Sequence, residues 1–295
     1  MDGFGYAITY STCYNLLKMK ARDRHRFLVN TFSPTKGLGV SYIRTSIGCS
    51  DFSSTEYSLC DSPGLENFAL HNDETHYVIP IIKEILDINP NVKVIAAPWT
   101  CPKWMKVKNL RTLEKHDSWT SGHLNPNMRS TYAQYFVKFL QAFAQQGIHI
   151  HAVTPQNEPL NQGNCASLFM PWDEQAEFIP HLAAAFKKAG LTTKIYCFDH
   201  NWNYDNMREQ KEYPVRIFNA LTNEYEGSEL VVGSAWHDYG GEASELDHIN
   251  SLLPDKEVIF TEASIGTWND GRNLQKRLLT DMNRLVYNTV TRQCR

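Results

Sequence analysis

Short apolar runs alternate with longer amphipathic segments along the whole chain. Most of the apolar runs are nearly continuous, which is typical of parallel strands that are buried on both faces. Seven strands are predicted, at 3–9, 40–47, 92–98, 150–155, 194–198, 230–235 and 257–261.

Helical periodicity fills several of the gaps between these strands. The predicted helices span 73–89, 130–146, 174–189 and 273–290. Gly147 and Gly190 follow two of them, at the position where glycine commonly ends a helix. Pro180 lies inside the third, and we expect it either to kink that helix or to mark a later start.

Strands that alternate with helices, without a break in composition, predict a parallel sheet that is closed or wound by helices. Seven such units exceed what most open sheets need, so we expect a TIM (β/α)8-type barrel in one domain, residues 1–295. No eighth strand follows the last predicted helix. The barrel is therefore expected to be incomplete.

Composition and charge narrow the class of protein. The net charge of −3 provides no basic surface, so neither nucleic acid nor an anionic membrane is an expected partner. No apolar run is long enough to span a bilayer. The residues after Met1 are typical of a core strand, so a cleavable leader is not predicted.

The seven cysteines are dispersed, and no CxxC motif occurs. This spacing argues against a zinc ribbon and against a dense disulfide framework. We expect buried free thiols, with a disulfide between Cys49 and Cys60 as the alternative.

Polar and aromatic residues follow most of the predicted strands. In a barrel, the residues beyond the strand ends meet at one rim, where active sites lie. The segments that follow the strands are 48–52, 98–104, 154–159, 199–202, 236–239 and 261–264. Together they supply carboxylates, amides, histidines and tryptophans, the side chains that hydrogen-bond and stack against sugars.

Two glutamates occupy the ends of the fourth and seventh strands, Glu158 and Glu262. Cleavage of a glycosidic bond commonly needs two carboxyl groups that flank it. Glu158 precedes Pro159, which favours extended backbone. Either glutamate alone would be read as a solvated loop carboxylate, but the pair, with Asn157 beside one of them, predicts a glycosidase.

Five motifs in this order resemble glycoside hydrolase family 30, which contains glucosylceramidases and endo-β-1,6-glucanases. The motifs are Cys49-Ser50-Asp51-Phe52, Ala97-Pro98-Trp99-Thr100, Asn157-Glu158-Pro159, His237-Asp238-Tyr239 and Phe260-Thr261-Glu262-Ala263-Ser264. The resemblance covers essentially the whole chain. It implies a retaining β-glycosidase that hydrolyses β-D-glucosyl bonds.

The resemblance also implies roles for single residues. Glu158 corresponds to the general acid/base and Glu262 to the nucleophile. Asn157 corresponds to the amide that holds the sugar 2-hydroxyl. Asp51 and Trp99 correspond to groups that bind the outer hydroxyls of the glucosyl unit.

Further positions correspond to groups around the nucleophile and beyond it. His237 and Tyr239 correspond to a polar pair beside it, and Arg44 to an inward arginine that steadies it. Trp202 and Tyr204 are candidate stacking platforms for sugar. Purely structural roles remain alternatives. Arg44 could be a buried charge partner for any carboxylate at the rim, and Trp99 and Trp236 could be core aromatics.

A double displacement places two requirements on the glutamates. The carboxyl groups should lie about 5–5.5 Å apart, whereas about 9 Å would indicate inversion. The negative charge of Glu262 and partial desolvation should raise the pKa of Glu158.

Two other patterns have a structural interpretation. His149 and His151 share one face of a strand, but no third ligand is apparent, so we expect packing and no metal or other cofactor. A basic stretch is expected to be a solvated rim; it contains Lys106, Lys108, Arg111 and Lys115.

The family normally has an eighth barrel strand and a β-sandwich, and both are missing here. We therefore expect a truncated chain of low stability and weak activity. The alternatives are a non-catalytic fragment that at most binds saccharide, and a metal-dependent barrel hydrolase. The substrate is expected to be a β-glucoside, either glucosylceramide or a β-1,6-glucan; the 202–213 loop favours the glucanase branch. The resemblance implies an extracytoplasmic location, and the oligomeric state stays open.

Overall fold

The computed structural model describes residues 3–221 and 224–264. Nine strands are found in these ranges. They are β1 (Gly5–Ala7), β2 (Tyr42–Ser46), β3 (Lys93–Ala97), β4 (Lys106–Val107), β5 (His123–Leu124), β6 (Ile150–Val153), β7 (Lys194–Asn201), β8 (Val231–His237) and β9 (Glu257–Glu262). Strands β4 and β5 form a separate antiparallel pair.

The other seven strands form one parallel sheet in the order β1-β2-β3-β6-β7-β8-β9. Each strand therefore pairs with the next one along the chain, as in the partial TIM barrel that the sequence predicts. That fold class is confirmed. In the described part of the chain, β1 and β9 are the edges of the sheet, and the predicted helix at 273–290 and the question of an eighth strand lie outside it.

Helices connect the strands and cover one face of the sheet. They are α1 (Tyr10–Lys18), α2 (Ala21–Phe32), α3 (Ile79–Ile88), α4 (Arg129–Gln145), α5 (Trp172–Lys188), α6 (Tyr213–Ala220) and α7 (Glu245–Leu252). Pro180 lies inside α5, which begins at Trp172, so a later start is wrong. Gly147 and Gly190 follow α4 and α5 with φ of +79° and +67°, as predicted. No helix of the described residues is both long and apolar enough to cross a membrane.

The two faces of the sheet carry two different apolar clusters. Alternate strand residues point to opposite faces, and Val94 packs with the helices whereas Ile95 belongs to a small second cluster. That second cluster also contains Ala152, Tyr196 and Ala235. Because Arg44 is in register with Ile95, its side chain projects from this inner face of the sheet.

Strand β7 extends beyond its predicted end at residue 198. A bulge between Phe198 and His200 lets the strand continue to Asn201, paired with β8. Phe198 and Asp199 both have a φ of +75° at this bulge. The bulge carries Asp199 and His200 into the sheet instead of leaving them in a loop.

Lys106 is not part of a solvated rim, and this prediction is wrong. It is 1% exposed, and its Nζ donates to the Thr100 hydroxyl (3.1 Å) and to the carbonyls of Ser167 (2.8 Å) and Trp119 (3.4 Å). Burial lowers the pKa of Lys106 from its ordinary value to about 8. Three oxygen acceptors explain how a lysine can lie in this core.

The described cysteines are free, so Cys49 and Cys60 form no disulfide. The Cys60 thiol instead donates to the carbonyls of Ser62 and Gly64. Five of the six described cysteines are buried, as expected, and Cys165 is exposed.

Candidate active site

Arg44 lies at the centre of the polar groups that the strand ends bring together. Its guanidinium donates to Glu262 Oε2 (2.6 Å), to Asn157 Oδ1 (2.7 Å) and to Asp199 Oδ2 (2.9 Å). It also lies over the Trp99 ring, 5.0 Å from the ring centre. Strand β2 thus holds a buried cation that contacts groups from three other segments of the chain.

Asp199 is a second centre of the network, although the sequence assigned it no role. It is fully buried and accepts hydrogen bonds from Thr154 (2.6 Å) and Thr261 (2.5 Å) as well as from Arg44. His237 Nε2 lies 2.9 Å from Asp199 Oδ1. Burial raises the pKa of Asp199, but the charges of Arg44 and His237 and these hydrogen bonds outweigh burial and hold the pKa well below its ordinary value.

Glu158 lies in the loop after β6, with its two carboxylate oxygens in different surroundings. Oε2 accepts from the side-chain amides of Asn161 and Asn164, each at 2.8 Å. Oε1 faces Nδ1 of His237 at 3.6 Å and Nδ1 of His200 at 3.9 Å. The backbone of Glu158 has a φ of +44°, so the extended conformation expected from the following proline is wrong, and an uncommon left-handed conformation aims the side chain.

The predicted rise in the pKa of Glu158 is wrong for this structure. Burial raises it, but the nearby charged ring of His237, the charge of His200 and the Asn161 amide lower it by more, so the net shift in the pKa of Glu158 is downward. His237 is buried, which lowers its own pKa, yet the charges of Glu262 and Asp199 raise it to about 9. The sequence could not show that a histidinium would lie beside this carboxylate.

Glu262 is the last residue of β9 and is held by two donors. Arg44 binds Oε2, and the Tyr239 hydroxyl donates to Oε1 at 2.9 Å. The side chain of Glu262 is 21% exposed, which leaves it accessible at the mouth of the site. Arg44, Asp199 and His237 connect the two glutamates, and the predicted carboxyl separation of about 5–5.5 Å stays a prediction.

Asp51 lies in the exposed loop after β2. Partial desolvation and the charges of Glu262 and Glu158 raise the pKa of Asp51 to about 6, so it lies within electrostatic reach of both glutamates. Trp99 is 5% exposed, and its carbonyl accepts from the Gln156 side chain. Both residues therefore lie at the strand ends where they were predicted.

Trp202 does not offer a face to a sugar, which corrects the prediction of a stacking platform. It is 3% exposed and packs nearly parallel to Trp236 and Phe260, with ring centres 5.5 and 5.9 Å away. Its indole nitrogen donates to Asp238 Oδ1. Tyr204 is equally buried. These rings support the floor of the site, because the protein already covers them.

Among the described residues, one group has the atoms and spacing of a metal site. A carboxylate oxygen of Glu158 and one ring nitrogen each of His200 and His237 lie within 4.8 Å of one another. His149 is exposed, and His151 packs edge-on to Tyr42.

Four residues of the site were missed as functional candidates from the sequence. Asp199 and His200 follow a predicted strand end, which is the one signal that could have singled them out. Asn161 and Asn164 sit in a loop without a pattern, and only the fold brings their amides to Glu158.

Comparison with known proteins places this geometry in a family. The chain matches the model of the glycosyl hydrolase family 30 TIM-barrel domain over residues 1–284. An endo-1,6-β-D-glucanase of Trichoderma harzianum is 31% identical over 90% of this chain and 55% of its own length. The lysosomal acid glucosylceramidase of Mus musculus is 27% identical over 96% of the chain and 57% of its own length.

A solved structure of an endo-β1,6-glucanase superposes with a TM-score of 0.94 at 58% identity, over 99% of this chain and 64% of that one. The chain spans about half the length of the curated relatives it matches. Since the family model covers nearly all of it, this chain belongs to glycoside hydrolase family 30.

Proposed function

We propose that this chain carries the catalytic site of a retaining β-glycosidase, with Glu262 as nucleophile and Glu158 as general acid/base. The observation that carries the proposal is that one buried network holds two carboxylates in different ways. Glu262 is bound by a cation and a hydroxyl, and Glu158 by amides on one oxygen and histidines on the other. Such a difference assigns separate roles to two carboxyl groups.

In the first step, Glu262 attacks the anomeric carbon while Glu158 gives its proton to the departing glycosidic oxygen. Arg44 and Tyr239 stabilise the negative charge of Glu262 before attack. In the second step, Glu158 takes a proton from water, and that water releases the sugar from Glu262 with net retention.

Glu158 must be protonated when the substrate is bound, although its pKa is lowered in the free site. Desolvation is the largest influence on this carboxyl and already favours the protonated form. A sugar that excludes water from the site strengthens that influence. His237, whose ring nitrogen lies 3.6 Å from Glu158 Oε1, is the adjacent proton source.

The proposed substrate is a β-1,6-linked glucan, with Asp51, Trp99 and Asn157 around the glucosyl unit that is cleaved. The support is the 58% identity to a solved protein named endo-β-1,6-glucanase, because curated relatives of the two names overlap in identity, at 28–32% for glucanases and 27–29% for glucosylceramidases. Glucosylceramide is the alternative substrate.

The test is to assay β-1,6-gluco-oligosaccharides, glucosylceramide and an aryl β-glucoside side by side, and to follow the anomeric configuration of the first product by NMR. We expect β-1,6 cleavage with a β-configured product. Glu262→Ala should abolish turnover, and azide should restore it as an α-glycosyl azide. Glu229→Ala, at an exposed glutamate paired with Lys187, is the matched control.

An α-configured first product would refute the nucleophile assignment. Absence of turnover together with retained oligosaccharide binding would favour the alternative of a saccharide-binding fragment.

A further inference from the structure

We propose that Glu158, His200 and His237 form a binding site for one divalent transition-metal ion of the Zn2+ type, which blocks the acid/base when it is bound. The metal binding itself is independent of the function proposed above, and only its effect on turnover rests on it.

The ligand atoms already converge. Glu158 Oε1 lies 3.6 Å from His237 Nδ1 and 3.9 Å from His200 Nδ1, and all three atoms lie within 4.8 Å of one another. Two ligands that are each about 2 Å from a tetrahedral zinc ion lie about 3.3 Å apart. The two distances from Glu158 Oε1 exceed this separation by about 0.3 and 0.6 Å, so the side chains must move closer together for all three to bind one ion.

The second nitrogen of each ring lies beside a carboxylate, as in a metal-binding histidine. His237 Nε2 forms a 2.9 Å hydrogen bond with Asp199 Oδ1, whereas His200 Nε2 lies 2.9 Å from Asp205 Oδ2 without the geometry of a hydrogen bond. In a neutral ring, a carboxylate behind one nitrogen keeps the remaining proton there and leaves the other nitrogen for the metal; His237 reaches this state when the metal displaces its second proton. In both rings that other nitrogen is Nδ1, which faces Glu158.

Neither Nδ1 atom has a hydrogen-bond partner among the described residues, although both rings are completely buried. The His237 ring is protonated in the metal-free site, so its Nδ1 carries a proton towards Glu158, and a metal ion must displace that proton to bind. A proton can join only one nitrogen to the oxygen, whereas a divalent cation satisfies all three atoms.

A bound cation would disable Glu158 as an acid. Oε2 of Glu158 already accepts from two asparagine amides, so Oε1 is the oxygen left to carry the catalytic proton. A metal on Oε1 takes that position, and protons and metal therefore compete for it. We infer reversible inhibition by Zn2+ that is relieved by a chelator.

The experiment titrates metal-free protein with Zn2+ against a chromophoric chelator. Cys165 and Cys294 are replaced by serine beforehand, so that these thiols cannot contribute. We expect one ion per chain, with at least tenfold weaker binding in Glu158→Gln and in His200→Gln. His248→Gln is the matched control, because His248 is an exposed histidine 2.8 Å from the Glu212 carboxylate, and the described residues place no third ligand beside this pair.

Binding that is unchanged in both site variants would overturn the proposal, since the metal would then be adventitious. If a variant does not fold, the visible spectrum of the Co2+ complex of the unaltered site decides. Intense bands of a four- or five-coordinate site support it, and the weak bands of octahedral Co2+ overturn it. Variant-dependent binding without turnover in any preparation would refute the glycosidase proposal and leave the metal site standing.

Discussion

Removal of the Arg44 charge should lower the free energy of unfolding, because Arg44 pairs with both Asp199 and Glu262. Arg44→Met keeps most of the side-chain volume but deletes the guanidinium that neutralises Asp199 and Glu262 at 2.9 and 2.6 Å. Asp199 is 0% exposed and would keep its charge in a core without its cationic partner. Breaking a buried ion pair in this way costs about 3–5 kcal/mol, a large part of the stability of an ordinary domain.

The assay is urea unfolding at pH 7, followed by tryptophan fluorescence, which includes the Trp99 ring that contacts Arg44. Arg44→Met, Asp199→Asn and the double variant form a mutant cycle. We expect the double variant to be more stable than the sum of the single effects predicts, by about 2 kcal/mol or more, because it removes the fully buried Asp199 charge together with its cation. Glu262, whose side chain is 21% exposed, stays charged with and without the Asp199 substitution.

Arg24→Met is the control, since Arg24 makes an ion pair of the same length, 2.9 Å, with Glu84 at a partly exposed position. That pair should contribute at most about 1 kcal/mol. Equal losses for the Arg44 and Arg24 variants, or additive effects in the cycle, would refute the reasoning that the buried network depends on Arg44.

Three further outcomes can be checked by unfolding or by kinetics. Burial lowers the pKa of Lys106 from 10.5 to about 8, so the unfolded chain binds this proton between these pH values while the folded chain does not. The contribution of Lys106 to stability should therefore rise by about 3 kcal/mol through that window, measured as the difference between the unchanged protein and Lys106→Met; parallel pH curves for both proteins would contradict this. Gly233→Ala should cost several kcal/mol in urea unfolding, since a Cβ there would lie 1.9 Å from a backbone oxygen of β9, whereas Gly147→Ala, with open space but a φ of +79°, should cost about 1–2 kcal/mol. Tyr239→Phe removes the hydrogen bond to Glu262 and should lower kcat/KM by about ten- to a hundredfold with little change in stability, and unaltered kinetics would show that this hydroxyl does not matter.

Much of the architecture could be predicted from the order of residues, because burial of a parallel sheet on both faces leaves a direct trace in the sequence. Apolar runs marked the seven strands of the sheet. Since the carboxyl ends of parallel strands meet at one rim, the motifs after them indicated where a site would form. The family followed from five such motifs taken together.

The tertiary structure alone decided how those residues behave. Whether Lys106 meets solvent or three oxygen acceptors depends on Thr100, Trp119 and Ser167, which a folded chain brings together from distant positions. The same holds for Trp202, whose ring is covered by the protein itself.

The electrostatics of the site depended on the fold most of all. Asp199 lies at the centre of the site because of a bulge in β7, which the hydrophobic pattern of the sequence does not predict. His237, from another strand, reverses the expected direction of the pKa shift of Glu158. Charges interact through space and through the dielectric around them, so their effects are set by distances and burial that the linear order of residues does not contain.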